Sequence, residues 1–147
     1  MPEEFTQGCL KVYYEIGNYL CEITGMDDAS FQPPAGASGE LTGLLIIKKY
    51  LEVNNINHKN EIIVPDSAHG TNPASARMAG FTVVEVETDS RGMVDIDKLK
   101  EIVNDNTAGL MLTNPNPGGL FEEEILSISQ IIHLSLIHIS EPTRLRR

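Results

Sequence analysis

With 147 residues, 41% of them hydrophobic and 22% charged, the chain has the composition of a globular domain large enough to bury a core. Its net charge of −10 argues against a nucleic-acid groove or an anionic membrane surface as a partner. Met1 is followed by Pro2-Glu3-Glu4, unlike a secretory signal, and no apolar run approaches the roughly 20 residues that a membrane helix needs.

Taken in chain order, Phe5 to Thr24 predicts a helix, with Leu10, Tyr13, Tyr14, Gly17, Leu20 and Cys21 on one face and Gly25 ending it. Cys9 and Cys21 lack CxxC spacing and read as core thiols of a reducing cytosol. After the loop "GMDDASFQPPAGASGE", Glu40 to Val53 predicts a largely apolar, buried helix. Glu61 to Pro65 reads as a short strand, Ala74 to Ala79 as a brief helix ending at Gly80, and Phe81 to Glu87 as a β-branched strand. "TDSRGMVD" is a turn, and Asp95 or Asp97 caps a helix through about Val103. Ala108 to Thr113 is a strand that runs into an Asn-Pro-rich loop, and Glu122 to His133 is a last helix.

Short apolar strands alternating with helices predict an α/β fold, a mostly parallel sheet with helices on both faces. One domain is expected over residues 1–133. From Leu134 the pattern changes: the end carries three of the chain's five arginines and resembles translated adapter sequence, so residues 134–147 are expected to be non-native or disordered.

In open parallel sheets, ligands bind beyond the carboxyl ends of the strands, which singles out three loops. "PPAGASGELTG" sets small residues, with Ala37 and Ser38 among them, against a helix N-terminus, where free N–H groups and the helix dipole favour phosphate. It carries neither GxGxxG nor GKS/T, and a plain Gly-rich N-cap fits it as well. "DSAHGTNPASARMAG" presents His69, stiffened by Pro65 and Pro73. The ring could stack on a planar cofactor, act as a base oriented by Asp66, or simply cap a helix. His58, His133 and His138 show no paired spacing, so no metal site is expected. "TNPNPGGLFE" places Asn114 and Asn116 past a strand end, where an amide could meet a phenolate-type oxygen without adding charge, or merely shape a turn. A phosphate cradle, a flat ring and an amide together suit pyridoxal 5′-phosphate.

The stretches "ITGMDDASFQPPAGASGELTGLL", "IIVPDSAHGTNPASARMAGF" and "LTNPNPGGLFEEEI" closely resemble the P-protein of the glycine cleavage system, glycine dehydrogenase (decarboxylating), and subunit 2 of its two-subunit bacterial form most of all. The resemblance covers about residues 5 to 133. It implies a partial large domain of a fold-type I pyridoxal-phosphate-dependent transferase. The implied activity is decarboxylation of glycine with transfer of the aminomethyl group to the lipoyl arm of H-protein, in the cytoplasm and with P-protein subunit 1 or its homologous half as a partner. It also implies that Ala37 and Ser38 cradle the phosphate, that His69 is the catalytic-site ring stacked on the pyridine, and that Asn114 faces the phenolic oxygen. The family's aspartate for the pyridine nitrogen and its Schiff-base lysine are expected after His133, and neither is present. All six lysines precede the Asn114 loop, and the His58-Lys59 pair, which imitates the family's His-Lys, reads as a solvated turn. The chain is therefore expected to be an inactive fragment. Two other readings compete: another fold-type I enzyme such as an amino-acid decarboxylase or a cysteine desulfurase, for which Cys9 and Cys21 are badly placed, and a non-catalytic phosphate- or cofactor-binding module.

Overall fold

The structure, a computed structural model, describes residues 2–135. The described residues fall into two units, 2–34 and 35–135. Of the tail expected from Leu134, the first two residues continue the last helix, and the remainder lies outside the described residues.

The first unit is a 3-10 turn (Glu3–Phe5) and helix α1 (Gln7–Thr24). Gly25 ends α1 in the left-handed conformation at φ 73°, its N–H closing on the Cys21 carbonyl at 2.9 Å. The expected apolar face is present, but no residue of α1 is buried. Within this unit it meets the ring of Phe31, which folds back to 5.7 Å from the Tyr13 ring. The reading of core thiols is corrected accordingly, since Cys9 is exposed and Cys21 only half-buried.

The second unit holds the sheet. Helix α2 (Gly36–Val53) is followed by β1 (Glu61–Pro65), α3 (Thr71–Met78), β2 (Thr82–Val86), α4 (Ile96–Ile102), β3 (Thr107–Leu110) and α5 (Ile125–Ser135). The three strands are parallel in the order β2-β1-β3, with Ile63 opposite both Val84 and Leu110. The central strand β1 is buried on both faces, which is why it reads as a continuous apolar run and not as an alternation. Its period of two sorts the core. Ile62 and Val64 pack with Leu44, Leu51, Ala76, Ala79 and Phe81 under α2 and α3. Ile63 packs the other way, with Val86, Val94, Leu99, Ile128 and Ile132 under α4 and α5.

Helix α2 begins four residues before its sequence expectation, at Gly36, with Ala35 in extended backbone as its N-cap after Pro33-Pro34. It is not buried all round: Leu44 and Leu51 are in the core, but Leu45 and Ile46 are exposed. Helix α3 begins three residues early, with Pro73 tolerated in its first turn. Strand β3 ends at Leu110. Met111 N–H still reaches the Ile63 carbonyl at 2.9 Å, but on β1 Pro65 has no N–H to continue the ladder. No helix among the described residues is long and apolar enough to cross a membrane.

Candidate functional site

From β1 the chain crosses to β2 on one side, and from β2 it returns to β3 on the other side of β1. The loops leaving the carboxyl ends of β1 and β3 therefore diverge at a topological switch point, where open α/β sheets form a ligand crevice. The β1 loop carries His69 and the β3 loop carries Asn114.

The third loop joins them through α2. Ala35, in extended backbone at the N-cap, provides no side-chain cap, and the first intrahelical bond is Gly39 N–H to the Ala35 carbonyl at 3.0 Å. Among the described residues the N–H groups of Gly36, Ala37 and Ser38 have no acceptor, and the Ser38 hydroxyl has no partner. Nothing lies within 4 Å of where a Cβ would stand on Gly36 or Gly39, so the approach to these groups is open. Two residues past Ser38, Glu40 bridges to α3: its carboxylate oxygens lie 3.4 Å from the hydroxyls of Thr71 and Ser75. The amino end of α2 is thus beside the amino end of α3, which follows the carboxyl end of β1. Ala37, Ser38, His69 and Asn114 all belong to the unit of residues 35–135, at the carboxyl edge of its sheet.

His69 is exposed. Its Nδ1 accepts the Thr71 N–H at 3.2 Å and lies 2.9 Å from the Thr71 hydroxyl. The neighbouring Asn72 is buried, and its Oδ1 has no donor. Asn114 follows β3 by four positions and opens a cis peptide to Pro115. Its Oδ1 accepts the Glu122 N–H at 2.9 Å, while its Nδ2 has no acceptor among the described residues. Asn116 is occupied at both ends, donating to the Gly92 carbonyl at 2.9 Å and accepting from Leu120 N–H at 3.0 Å. The carboxylate of Glu122 is buried and accepts Val94 N–H at 2.9 Å, which clamps the loop to the 88–94 turn. In that turn the Asp89 carboxyl is held below the usual carboxylate range, first by the Met93 N–H it accepts and then by Arg91.

Two positions differ from their sequence reading. Lys59 is not solvated: it is 4% exposed and its ammonium donates to the carbonyls of Asp105 at 3.0 Å and Thr107 at 3.3 Å. These carbonyls stand at the start of β3, so Lys59 lies at the amino edge of the sheet, about 15 Å of strand away from the three loops. Asp66, the carboxylate nearest His69 in sequence, accepts Thr88 N–H at 3.2 Å instead. Glu40, Glu122 and Asn72 were missed by sequence reasoning. Glu40 and Glu122 act across 28 or more residues of chain, and no local pattern marks such contacts.

Among the described residues the open groups fit pyridoxal phosphate: uncapped backbone N–H groups and a hydroxyl for the phosphate, an exposed flat ring and an amide donor. No protein-family model matches the chain. It is 60% identical over 131 residues to a Saccharolobus solfataricus protein named "Probable glycine dehydrogenase (decarboxylating) subunit 2", a match covering 89% of this chain and 26% of that protein. Among solved structures, glycine decarboxylase (P-protein) of the glycine cleavage system superposes on 90% of this chain and 28% of its own, with a TM-score of 0.71 at 18% identity. A sphingosine-1-phosphate lyase of Burkholderia pseudomallei covers 66% of this chain and 22% of its own, with a TM-score of 0.61 at 25% identity. The fold is thus that of part of a fold-type I pyridoxal-phosphate enzyme's large domain, and the chain spans about a quarter of the length of the curated relative it matches. Over about nine-tenths of its length, the chain is homologous to glycine dehydrogenase (decarboxylating) subunit 2.

Proposed function

We propose that the chain carries the phosphate-holding and ring-holding part of a pyridoxal 5′-phosphate site that serves glycine decarboxylation, with transfer of the aminomethyl group to the lipoyl arm of H-protein. The observation that carries this reading is the set of recognition groups at one sheet edge: the N–H groups of residues 36–38 and the Nδ2 donor of Asn114, without acceptors among the described residues, and the exposed His69 ring. Glycine is the substrate. P-protein subunit 1, or its homologous half, is the partner, and the bacterial cytoplasm is the compartment.

When bound, pyridoxal phosphate supplies an electron sink for the carbanion left as carbon dioxide departs. The residues of this chain bind and orient. The N–H groups of Gly36, Ala37 and Ser38, with the Ser38 hydroxyl, hold the phosphate on the positive end of α2. His69 would stack on the pyridine and keep water from it. Asn114 Nδ2 would donate to the phenolic oxygen without bringing charge, its other end fixed on Glu122 N–H.

The position of Lys59 favours holding without turnover for this chain taken by itself. Lys48 bonds the Gly80 carbonyl just before β2, also at the amino edge, and Lys98 and Lys100 pair with Glu101 and Asp97 on α4. Mixing the chain with pyridoxal phosphate is expected to give no Schiff-base absorption band that disappears on one Lys→Ala change; a band assigned to a single lysine would contradict this. His69→Ala is expected to weaken pyridoxal phosphate binding about 2- to 10-fold, the size of one aromatic contact. Equal affinities in the two proteins would count against the stacking role.

A further inference from the structure

Asn114 is exposed, and an exposed carboxamide can turn either of its ends to a ligand. Only the Nδ2 end donates; the Oδ1 end would oppose a phenolic oxygen. The backbone N–H of Glu122 decides between them, because it donates to Oδ1 at 2.9 Å and so leaves Nδ2 as the end on offer. Glu122 is placed in turn by its own side chain. The residue is 6% exposed, and its Oε2 accepts Val94 N–H at 2.9 Å. The two bonds use different groups of Glu122, a backbone donor and a carboxylate acceptor, so they do not compete.

Val94 follows β2 and Glu122 follows β3, and these strands are not neighbours: β1 stands between them. The turn of residues 88–94 and the loop of residues 114–122 therefore meet across the carboxyl end of β1. A second tie runs beside the first, from Asn116 Nδ2 to the Gly92 carbonyl at 2.9 Å. Gly92 has a φ of 81°, and Leu120 Cδ1 lies 2.9 Å from where a Cβ on it would stand, so glycine suits both the turn and the close approach of the loop. On the β1 side the turn is rooted by Thr88 N–H, which donates to the Asp66 carboxylate at 3.2 Å. We propose that Glu122 is a positioning residue for Asn114 and that the 88–94 turn is the support on which it rests. The Glu122 carboxylate fixes the place of its own N–H, and that N–H fixes which end of the Asn114 amide faces a ligand. That the ligand presents a phenolic oxygen rests on the cofactor reading above; the orientation of the amide does not.

Hydrogen exchange and side-chain amide signals of the 15N-labelled chain test the orientation. Asn114→Ala removes the acceptor and is expected to speed exchange at the Glu122 amide about tenfold, the size of one hydrogen bond, with Val94 unchanged. Wild-type exchange at Glu122 in that variant overturns the contact. Glu122→Ala is expected to speed exchange at Val94 and to move the Asn114 side-chain signals toward those of a free asparagine. Glu122→Gln, whose Oε1 can accept the same N–H, is expected to keep the wild-type pattern. Asn114 signals that hold still in Glu122→Ala overturn the positioning role. Asn116→Asp gives a second reading should Glu122→Ala not fold: it cuts the tie to Gly92, keeps an oxygen for Leu120 N–H, and is expected to move the Asn114 signals in the same direction. Unmoved signals there overturn the part assigned to the 88–94 turn. Calorimetric titration with pyridoxine 5′-phosphate, which has the phosphate and the phenolic oxygen but no aldehyde to react with lysines, tests the use of the amide. Glu122→Ala is expected to weaken its binding about 2- to 10-fold, while affinity for inorganic phosphate, held at α2, stays the same. Unchanged affinity for the probe, or equal loss for both ligands, overturns the coupling to the ligand. A wild-type chain that binds the probe no better than inorganic phosphate instead overturns the cofactor reading, and the exchange results then stand by themselves for the positioning of Asn114.

Discussion

At the residue scale, the two asparagines of the β3 loop separate by what each has left to offer. Asn116 uses both ends of its amide to close the loop and tie it to Gly92, whereas Asn114 uses one end and keeps a donor. The order Asn-Pro-Asn-Pro does not distinguish them; only the partners do, and those come from Gly92, Leu120 and Glu122. Glu122 is the sharper test of the loop. Its buried carboxylate satisfies Val94 N–H, so Glu122→Ala leaves that donor unpaired and is expected to lower stability by about 1–3 kcal/mol, measured by urea unfolding. Acid acts on the neighbouring turn. Asp89 has a folded pKa below the ordinary aspartate value, so the stability it contributes is present above that value and is lost as pH falls through the lower, folded one. Hydrogen exchange at Met93, whose N–H donates to Asp89 at 3.1 Å, is expected to speed up in that acid range, and Asp89→Asn removes most of this pH dependence.

At the scale of elements, the strands were legible because β-branched apolar runs between turn residues leave little choice. β1 falls at its expected bounds, and β2 lies inside the predicted span. Helix starts were less legible. α2 and α3 begin within stretches of Gly, Ala, Ser, Thr and Asn that suit loop and first turn alike, and packing of α2 on α3 through Glu40 decides the matter. Of the two candidate caps for α4, Asp95 takes the role, accepting from Asp97 N–H at 2.9 Å and Lys98 N–H at 3.1 Å. Asp95→Ala is expected to destabilise by about 1 kcal/mol in thermal unfolding, and Asp97→Ala by distinctly less. The three candidate loops stood out in the sequence because their residue types are unusual together. Their anchoring did not, since it runs through Glu40 and Glu122, whose roles depend on contacts far along the chain.

At the scale of the whole molecule, the unit of residues 35–135 builds a core on both faces of a three-stranded sheet yet keeps apolar side chains in water. Ile46 on α2 is 65% exposed and Leu126 on α5 is 72% exposed. Such faces bind hydrophobic dyes and promote association. Ile46→Glu is expected to reduce dye binding while moving stability by less than about 0.5 kcal/mol. Ile63→Ala, in the centre of the core, is expected to cost about 2–5 kcal/mol. The claim that unites these scales is that three separated loops form one site for a phosphorylated, planar ligand. It is tested most directly by titrating the 15N-labelled chain with pyridoxal 5′-phosphate and following the amides of Gly36, Ala37 and Ser38, the His69 ring and the Asn114 side-chain amide in the same spectra. All of them are expected to shift together with a single dissociation constant. Shifts confined to lysine-bearing segments, or cradle shifts unaccompanied by any change at His69 and Asn114, would contradict it.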